Sequence, residues 1–461
     1  FIANRPDYVG CVAVSISDAS ACSIAAHMGW SMETAMRSVS RFAKTVLGAD
    51  IVMDLKWAEI MSCQLVYADY VQRLRHEPHR LPLLVSACPG WVCYCEKQCP
   101  ELLPLLSPVL SAQGLAGSIL KSSHGASKGG VYHISIQPCF DRKLEAARDS
   151  VTRNAAADDQ RLTDCVLSTM EVMEWMRETN LLQTDGTSGR GEEDAADFTA
   201  VTDTWCLRGS GHTGTSGSNG DEDDAARTAV HRAEMHGSGG YHLKVLRLLA
   251  TRMGGIAEFD EVSHVTYECK RNPNHRFVRT PYDAQIAAAL PGSSTPHLFS
   301  TAYGFQQIQN IVRGLRKQHP AGLGRLAASS TRLATQPQAA YSFLEIMACP
   351  SGCLNGGAQL RPEGHVPHEE RLTSVMKAYA LADMSGTVIQ STHVPTTKAS
   401  QQEVLADVIT SIISGYQDQV RILVESQQST SLPQWSTTVF HDRKKEMEAI
   451  LNSNPLHSLK W

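Results

Sequence analysis

The chain has 461 residues, 42% of them hydrophobic, and carries 42 Lys+Arg against 47 Asp+Glu for a formal net charge of −5. That length is enough to bury a large core, either as two to three domain-sized units or as one α/β body with an insertion. A slightly acidic chain without a basic block argues against nucleic acid as the main partner. No apolar stretch reaches the roughly 20 residues of a membrane span, so a soluble protein with no membrane partner is expected.

Val9–Ser17 is short, apolar and rich in β-branched residues, and reads as a strand. Helical spacing follows over Ser31–Leu47, then a strand over Ala49–Asp54 and a helix from Trp57 to about Arg75. Leu81–Ala87, Val131–Gln137 and Asp164–Ser168 are strand-like, and Thr169–Arg177 is helical. This rhythm predicts an α/β fold, doubly wound and mostly parallel, with helices on both faces.

From Gln183 to Gly240 the chain turns to Gly, Ser, Thr and acidic residues. Such a composition cannot bury enough apolar surface to offset its ordering entropy, so a disordered insertion is expected. A shorter polar stretch covers His319–Ala339. Between and beyond these lie a helix over Gly240–Met253, an extended stretch at Val262–Tyr267, a long helix over Thr301–Lys317 and a strand over Tyr341–Ala348. Helical patterns at Glu369–Asp383 and Gln401–Ser414 complete the chain. The expected division is residues 1–182 as the first α/β half, 183–240 as the insertion, 241–360 as the second half, and 361–461 as a helical C-terminal region ending in Trp461.

Thirteen cysteines, an odd number in a long chain without a secretory signal, favour a reducing compartment and metal or cluster ligation over a disulfide framework. Three strand candidates end alike: LLVSA runs into Cys88, HISIQ into Pro138-Cys139, and FLEIMA into Cys349 and Cys353. In an open parallel sheet, ligands bind beyond the carboxyl ends of the strands. If these strands are neighbours, four thiolates converge on one crevice and suit either a structural zinc or an iron–sulfur cluster. Only Cys349 and Cys353 form a close pair, whereas zinc sites draw on two, and this favours a buried cubane. Glycines at 90, 352, 356 and 357 would let backbone amides approach the cluster sulfurs.

At these residues the sequence resembles the iron-only hydrogenases. SACPGW (86–91), PCFDRKLEA (138–146) and EIMACPSGCLNGGAQ (345–359) are similar to their three signature loops, and SGGY (238–241) and AYGFQQIQNIV (302–312) match as well. The resemblance is closest to the non-hydrogenase branch, the iron-only-hydrogenase-like proteins of cytosolic iron–sulfur protein assembly, which includes the nuclear prelamin A recognition factor-like proteins. It implies the hydrogenase catalytic-domain fold, with Cys88, Cys139, Cys349 and Cys353 as ligands of one buried 4Fe–4S cluster. It also implies a cytoplasmic protein, present in the nucleus too, that delivers clusters to apo iron–sulfur client proteins.

In true hydrogenases the equivalent of Cys353 also bridges to a di-iron subsite. Here the proton-shuttling cysteine before the first ligand is Ala87, the methionine before Pro-Cys is Gln137, and the subsite lysine is Arg142. A methyl group cannot relay a proton, and Arg for Lys is not conservative at a tight anion site. A cluster-bearing relay protein is therefore preferred to a redox enzyme of the hydrogenase type or an inert scaffold, and no catalytic residue is assigned. Glu145 keeps the family's acidic position.

The branch carries a second 4Fe–4S cluster on an N-terminal C-x₂-C-x₂-C segment, which this chain lacks. Either the sequence is truncated or it works with one cluster. Cys11 and Cys22 do not have the required spacing. Family members end in a C-terminal tryptophan that docks to the cytosolic iron–sulfur targeting complex. Trp461 is the matching residue, although Lys460 departs from the tripeptide pattern.

Cys93, Cys95 and Cys99 read as packing thiols in preference to zinc ligands, and Cys63, Cys165, Cys206 and Cys269 as unligated. His124 and His133 could act on a cluster sulfur or a proton but are more simply polar structural residues. The acidic runs at 192–194 and 222–224 read as solvated.

Overall fold

A computed structural model describes residues 9–122, 130–148, 161–182, 240–259, 261–269, 272, 274–289, 299–318, 342–361, 368–385, 401–426 and 431–453. The first half runs β1 (Val9–Ile16), α1 (Asp18–Met28), α2 (Met32–Thr45), β2 (Ile51–Asp54), α3 (Lys56–His76), β3 (Leu83–Val85), α4 (Pro89–Gln98), α5 (Ala112–Ser122), β4 (Gly130–Gln137), α6 (Asp141–Ala146), β5 (Cys165–Ser168) and α7 (Thr169–Glu178). The second runs α8 (Tyr241–Arg252), α9 (Glu261–His264), β6 (Thr266–Cys269), β7 (His275–Arg279), α10 (Asp283–Ala289), β8 (Phe299–Tyr303), α11 (Phe305–Gln318) and β9 (Phe343–Met347). Helices α12 (His368–Ser385), α13 (Gln401–Ser426) and α14 (Arg443–Ser453) follow.

Two sheets form. The first has the order β2-β1-β4-β5 and is wholly parallel. The second has the order β3-β9-β8-β7-β6, parallel from β3 to β8 and antiparallel beyond. The expected parallel character therefore stops at β7. Only a short connection joins β6 to β7, too short for the crossover a parallel pair needs.

Alternation along β1 sorts the layers. Val12, Val14 and Ile16 pack with α1, α2 and α7 on the outer face, through Ile24, Phe42, Val172 and Met176. Cys11 and Ala13 face the central layer, where Leu65, Ile119 and Leu246 of α3, α5 and α8 fill the space between the sheets. The second sheet lends Leu83, Phe299 and Phe343 to that layer and turns Leu84, Ala302 and Leu344 toward α4 and α11. Strands covered on both faces read as continuous apolar runs, as β1 and β3 do.

Several boundaries moved. The helix expected over Thr301–Lys317 begins only at Phe305, because Thr301–Tyr303 belong to β8 and Gly304 at φ 86° breaks the chain between them. Val262–His264 are helical, and only Thr266 onward is extended. The helix from Gln401 runs on to Ser426. Strand β7 (HRFVR) was hidden by its charged residues, which flank a buried Phe277-Val278.

Candidate functional site

Strands β3, β4 and β9 carry the expected cysteines just beyond their carboxyl ends, but they are not all neighbours. β3 and β9 pair in the second sheet, with Leu83 opposite Phe343, whereas β4 lies in the first. The crevice is thus the meeting of two sheets and not the edge of one.

Close contacts tie the loops together. The Ala358 N–H donates to Pro138 O at 3.0 Å, and the Ala348 N–H donates to Cys88 Sγ at 3.5 Å. A Cβ on Gly90 would stand 2.6 Å from Asp141 Oδ2, and one on Gly356 would stand 2.3 Å from Pro138 O. Ser351 and Gly352, with φ of 59° and 72°, fold the chain back between Cys349 and Cys353. Cys88 occupies the N-cap of α4 with Pro89 after it, where the missing N–H costs nothing.

The four thiols share one electrostatic neighbourhood. Burial pushes Cys139 up to about 11, against Arg142, which lowers it, and with Cys88, which raises it. Cys349 is pushed up to about 12 by burial and by the charges of Cys88 and Cys139. Cys353 is raised by burial and by the other three thiols, with Arg142 opposing. Thiols raised as Cys139, Cys349 and Cys353 are resist ionising together unless a strong positive centre joins them.

Hydrogen bonds already favour sulfur anions. The backbone N–H of Arg142 serves Cys139 and that of Gly357 serves Cys349, alongside Ala348 and Cys88. Of the four glycines expected to free amides, only Gly357 donates directly to a thiol in these contacts. Gly90 and Gly356 matter instead because a Cβ would collide with a neighbouring loop.

Among the described residues no three His, Cys, Asp or Glu side chains are placed to hold a single metal ion. Four cysteine thiolates, each able to bind its own iron, are the donor set of an iron–sulfur cluster, so the chemistry of the residues fits that group.

Arg142 is the residue the sequence did not explain. Buried at 7% exposure, it donates from Nη1 to Glu145 Oε2 at 2.7 Å, and Ser111 Oγ donates to Glu145 Oε1 at 2.6 Å. Its Nε has no hydrogen-bond partner among the described residues. Burial lowers the pKa of the guanidinium, but Glu145, Cys353 and Cys139 outweigh that and raise it above its ordinary value. Lys143 does not reach inward; its Nζ lies on Glu171 at 2.6 Å.

Ala87 and Cys88 line a cavity of about 40 Å³ with Ser107, Ser111 and Glu145. It has room for one or two waters, but the Ala87 methyl offers them no proton. Behind the Cys349–Cys353 loop, the buried Glu345 accepts from the His242 N–H at 3.0 Å and contacts its Nδ1 at 2.5 Å. His242 Nε2 reaches Tyr267 OH at 2.9 Å. Nothing in the sequence pattern pointed to this pair.

The other candidates resolve simply. Cys95 and Cys99 are fully buried against α11 residues, so they are packing thiols. His133 is held near pKa 4 by burial and sits neutral in a ladder with Ser15 Oγ at 2.9 Å. Cys11, Cys22 and Cys63 are buried in the core, Cys165 is half-buried and Cys269 is exposed. His124, Cys206, the acidic runs and Trp461 lie outside the described residues.

Two apposed sheets with a cysteine-lined crevice define the iron-only hydrogenase class of fold. The chain belongs to the family "iron only hydrogenase large subunit, C-terminal domain", which matches residues 11–357. Within it, the chain is 30% identical over 376 residues to the cytosolic Fe-S cluster assembly factor narfl of Danio rerio, covering 80% of this chain and 76% of that protein. It is 32% identical over 395 residues to cytosolic iron-sulfur assembly component 3 of Pongo abelii, covering 83% and 70%. Among solved structures, an apo FeFe-hydrogenase from Chlamydomonas reinhardtii superposes with a TM-score of 0.54 at 19% identity, over 82% of this chain and 85% of that one. That likeness shows the fold alone.

Proposed function

We propose that this chain is a cytosolic iron–sulfur cluster assembly factor that holds one 4Fe–4S cluster on Cys88, Cys139, Cys349 and Cys353. In this reading it helps deliver clusters to cytosolic and nuclear apoproteins. The observation that carries the ligand set is the convergence of four buried or half-buried thiols from two sheets, three of them already receiving backbone N–H bonds. The curated relatives, named as assembly factors, support the delivery role over hydrogen turnover. Ala87 and the Arg142–Glu145 pair support it too, since they leave neither a thiol relay nor an unpaired cation of the hydrogenase kind. Docking of Trp461 to the cytosolic targeting complex belongs to the same proposal.

When bound, the cluster would supply a one-electron couple and a transferable iron–sulfur unit. The chain's own part is to exclude water, fix the thiolates and offset their charge. The test is iron and acid-labile sulfide per chain after anaerobic reconstitution, with Mössbauer and infrared spectra. About four irons in one cubane environment, without carbonyl or cyanide bands, is the expected result. Six irons with those bands would establish a di-iron subsite and overturn the reading in favour of a hydrogenase-type enzyme.

A further inference from the structure

We infer that Arg142 sets the reduction potential of the cluster, its Nε–H donating to a cluster sulfur on the Cys139–Cys353 side and its fixed charge favouring the reduced state. This rests on the cluster reading above.

Three observations converge on it. The buried Nε–H has no acceptor among the described residues, and an orphaned buried donor is costly unless something accepts from it. Its Nη1 is held by Glu145, which Ser111 fixes in turn. Cys139 and Cys353 are near enough that Arg142 is the strongest charge acting on either thiol. Helix α6 begins just after Cys139, so one turn of backbone carries the ligand, the N–H on its sulfur and the guanidinium together.

The electron balance is simple. One electron enters the cluster from an external one-electron donor, the core becomes more negative by one charge, and the guanidinium neither gains nor loses a proton because it stays charged throughout. A positive charge close to that core stabilises the reduced form and raises the midpoint. Glu145, which partly offsets the guanidinium, lowers it. The two residues must therefore act with opposite signs.

The test uses the full chain, reconstituted anaerobically, with iron and sulfide counted first and the midpoint then measured by titration with dithionite under EPR. Arg142→Gln is expected to lower the midpoint, Glu145→Gln to raise it, and Arg142→Lys to fall between Arg142→Gln and the parent. Equal midpoints in Arg142→Gln, Glu145→Gln and the parent, or shifts in one direction only, would overturn the inference. If Arg142→Gln does not hold a cubane, the sign of the Glu145→Gln shift decides: upward supports it, unchanged or downward overturns it. A parent chain that holds no cubane fails at the iron count, so failure of the cluster reading is told apart from failure of Arg142 alone.

Discussion

Gly356 and Gly357 are adjacent, alike in sequence, and opposite in what the structure asks of them. A Cβ on Gly356 would lie 2.3 Å from Pro138 O and 3.0 Å from Pro138 C, both backbone atoms that cannot swing away. On Gly357 it would meet nothing within 4 Å. Gly356→Ala must therefore separate the loop of Cys353 from the loop of Cys139, at an overpacking cost of about 1–3 kcal/mol. The same shift stretches the 3.0 Å bond from the Ala358 N–H to Pro138 O, worth about 0.5–1.5 kcal/mol. Together about 1.5–4.5 kcal/mol is lost, roughly a 10- to 2000-fold fall in the folded-to-unfolded ratio. Gly357→Ala keeps its N–H for Cys349 and should change stability by no more than about 0.5 kcal/mol. Urea unfolding of the apoprotein reads the first quantity, and iron retained after desalting reads the consequence for the site. The reasoning fails if Gly356→Ala keeps parent stability and iron, or if Gly357→Ala is equally damaging.

Cys353→Ala and Cys349→Ala should each lose cluster iron and lower the holoprotein's thermal midpoint, because each thiolate cross-links loops through the cluster; full iron content in either would show the ligand assignment to be wrong. Burial, with Asp18 beside it, raises the Asp54 carboxyl to about 7. Because its folded pKa exceeds the unfolded value, the folded state binds the extra proton and stability falls as pH rises from about 4 to about 7. Urea midpoints across that range should decline less for Asp54→Asn than for the parent, and parallel profiles would refute the assignment. Glu345→Leu should cost about 2–4 kcal/mol by stranding the buried His242 N–H and imidazole, measured by calorimetry. Glu345→Gln, which keeps an acceptor, should cost less, and equal losses would contradict the hydrogen-bond account.

The alternating pattern and the apolar β-branched runs were enough to announce an α/β fold, since a strand covered on both faces must be apolar throughout. Three loops of the right type in the right order put forward Cys88, Cys139, Cys349 and Cys353 as the proposed ligands, because ligand chemistry is written in residue identity. What sequence could not carry was anything set by contacts between distant segments. It did not show that β4 belongs to a different sheet from β3 and β9, because each strand is apolar whichever partner it takes. It missed β7, whose charged residues mask a buried Phe277-Val278. It read Arg142 only as a replaced lysine, whereas its burial, its bond to Glu145 and its unpartnered Nε are properties of the folded crevice. Gly356 and Gly357 mark the same divide: their local conformations are open to both, and only the arrival of Pro138 from the other sheet decides which one can bear a side chain.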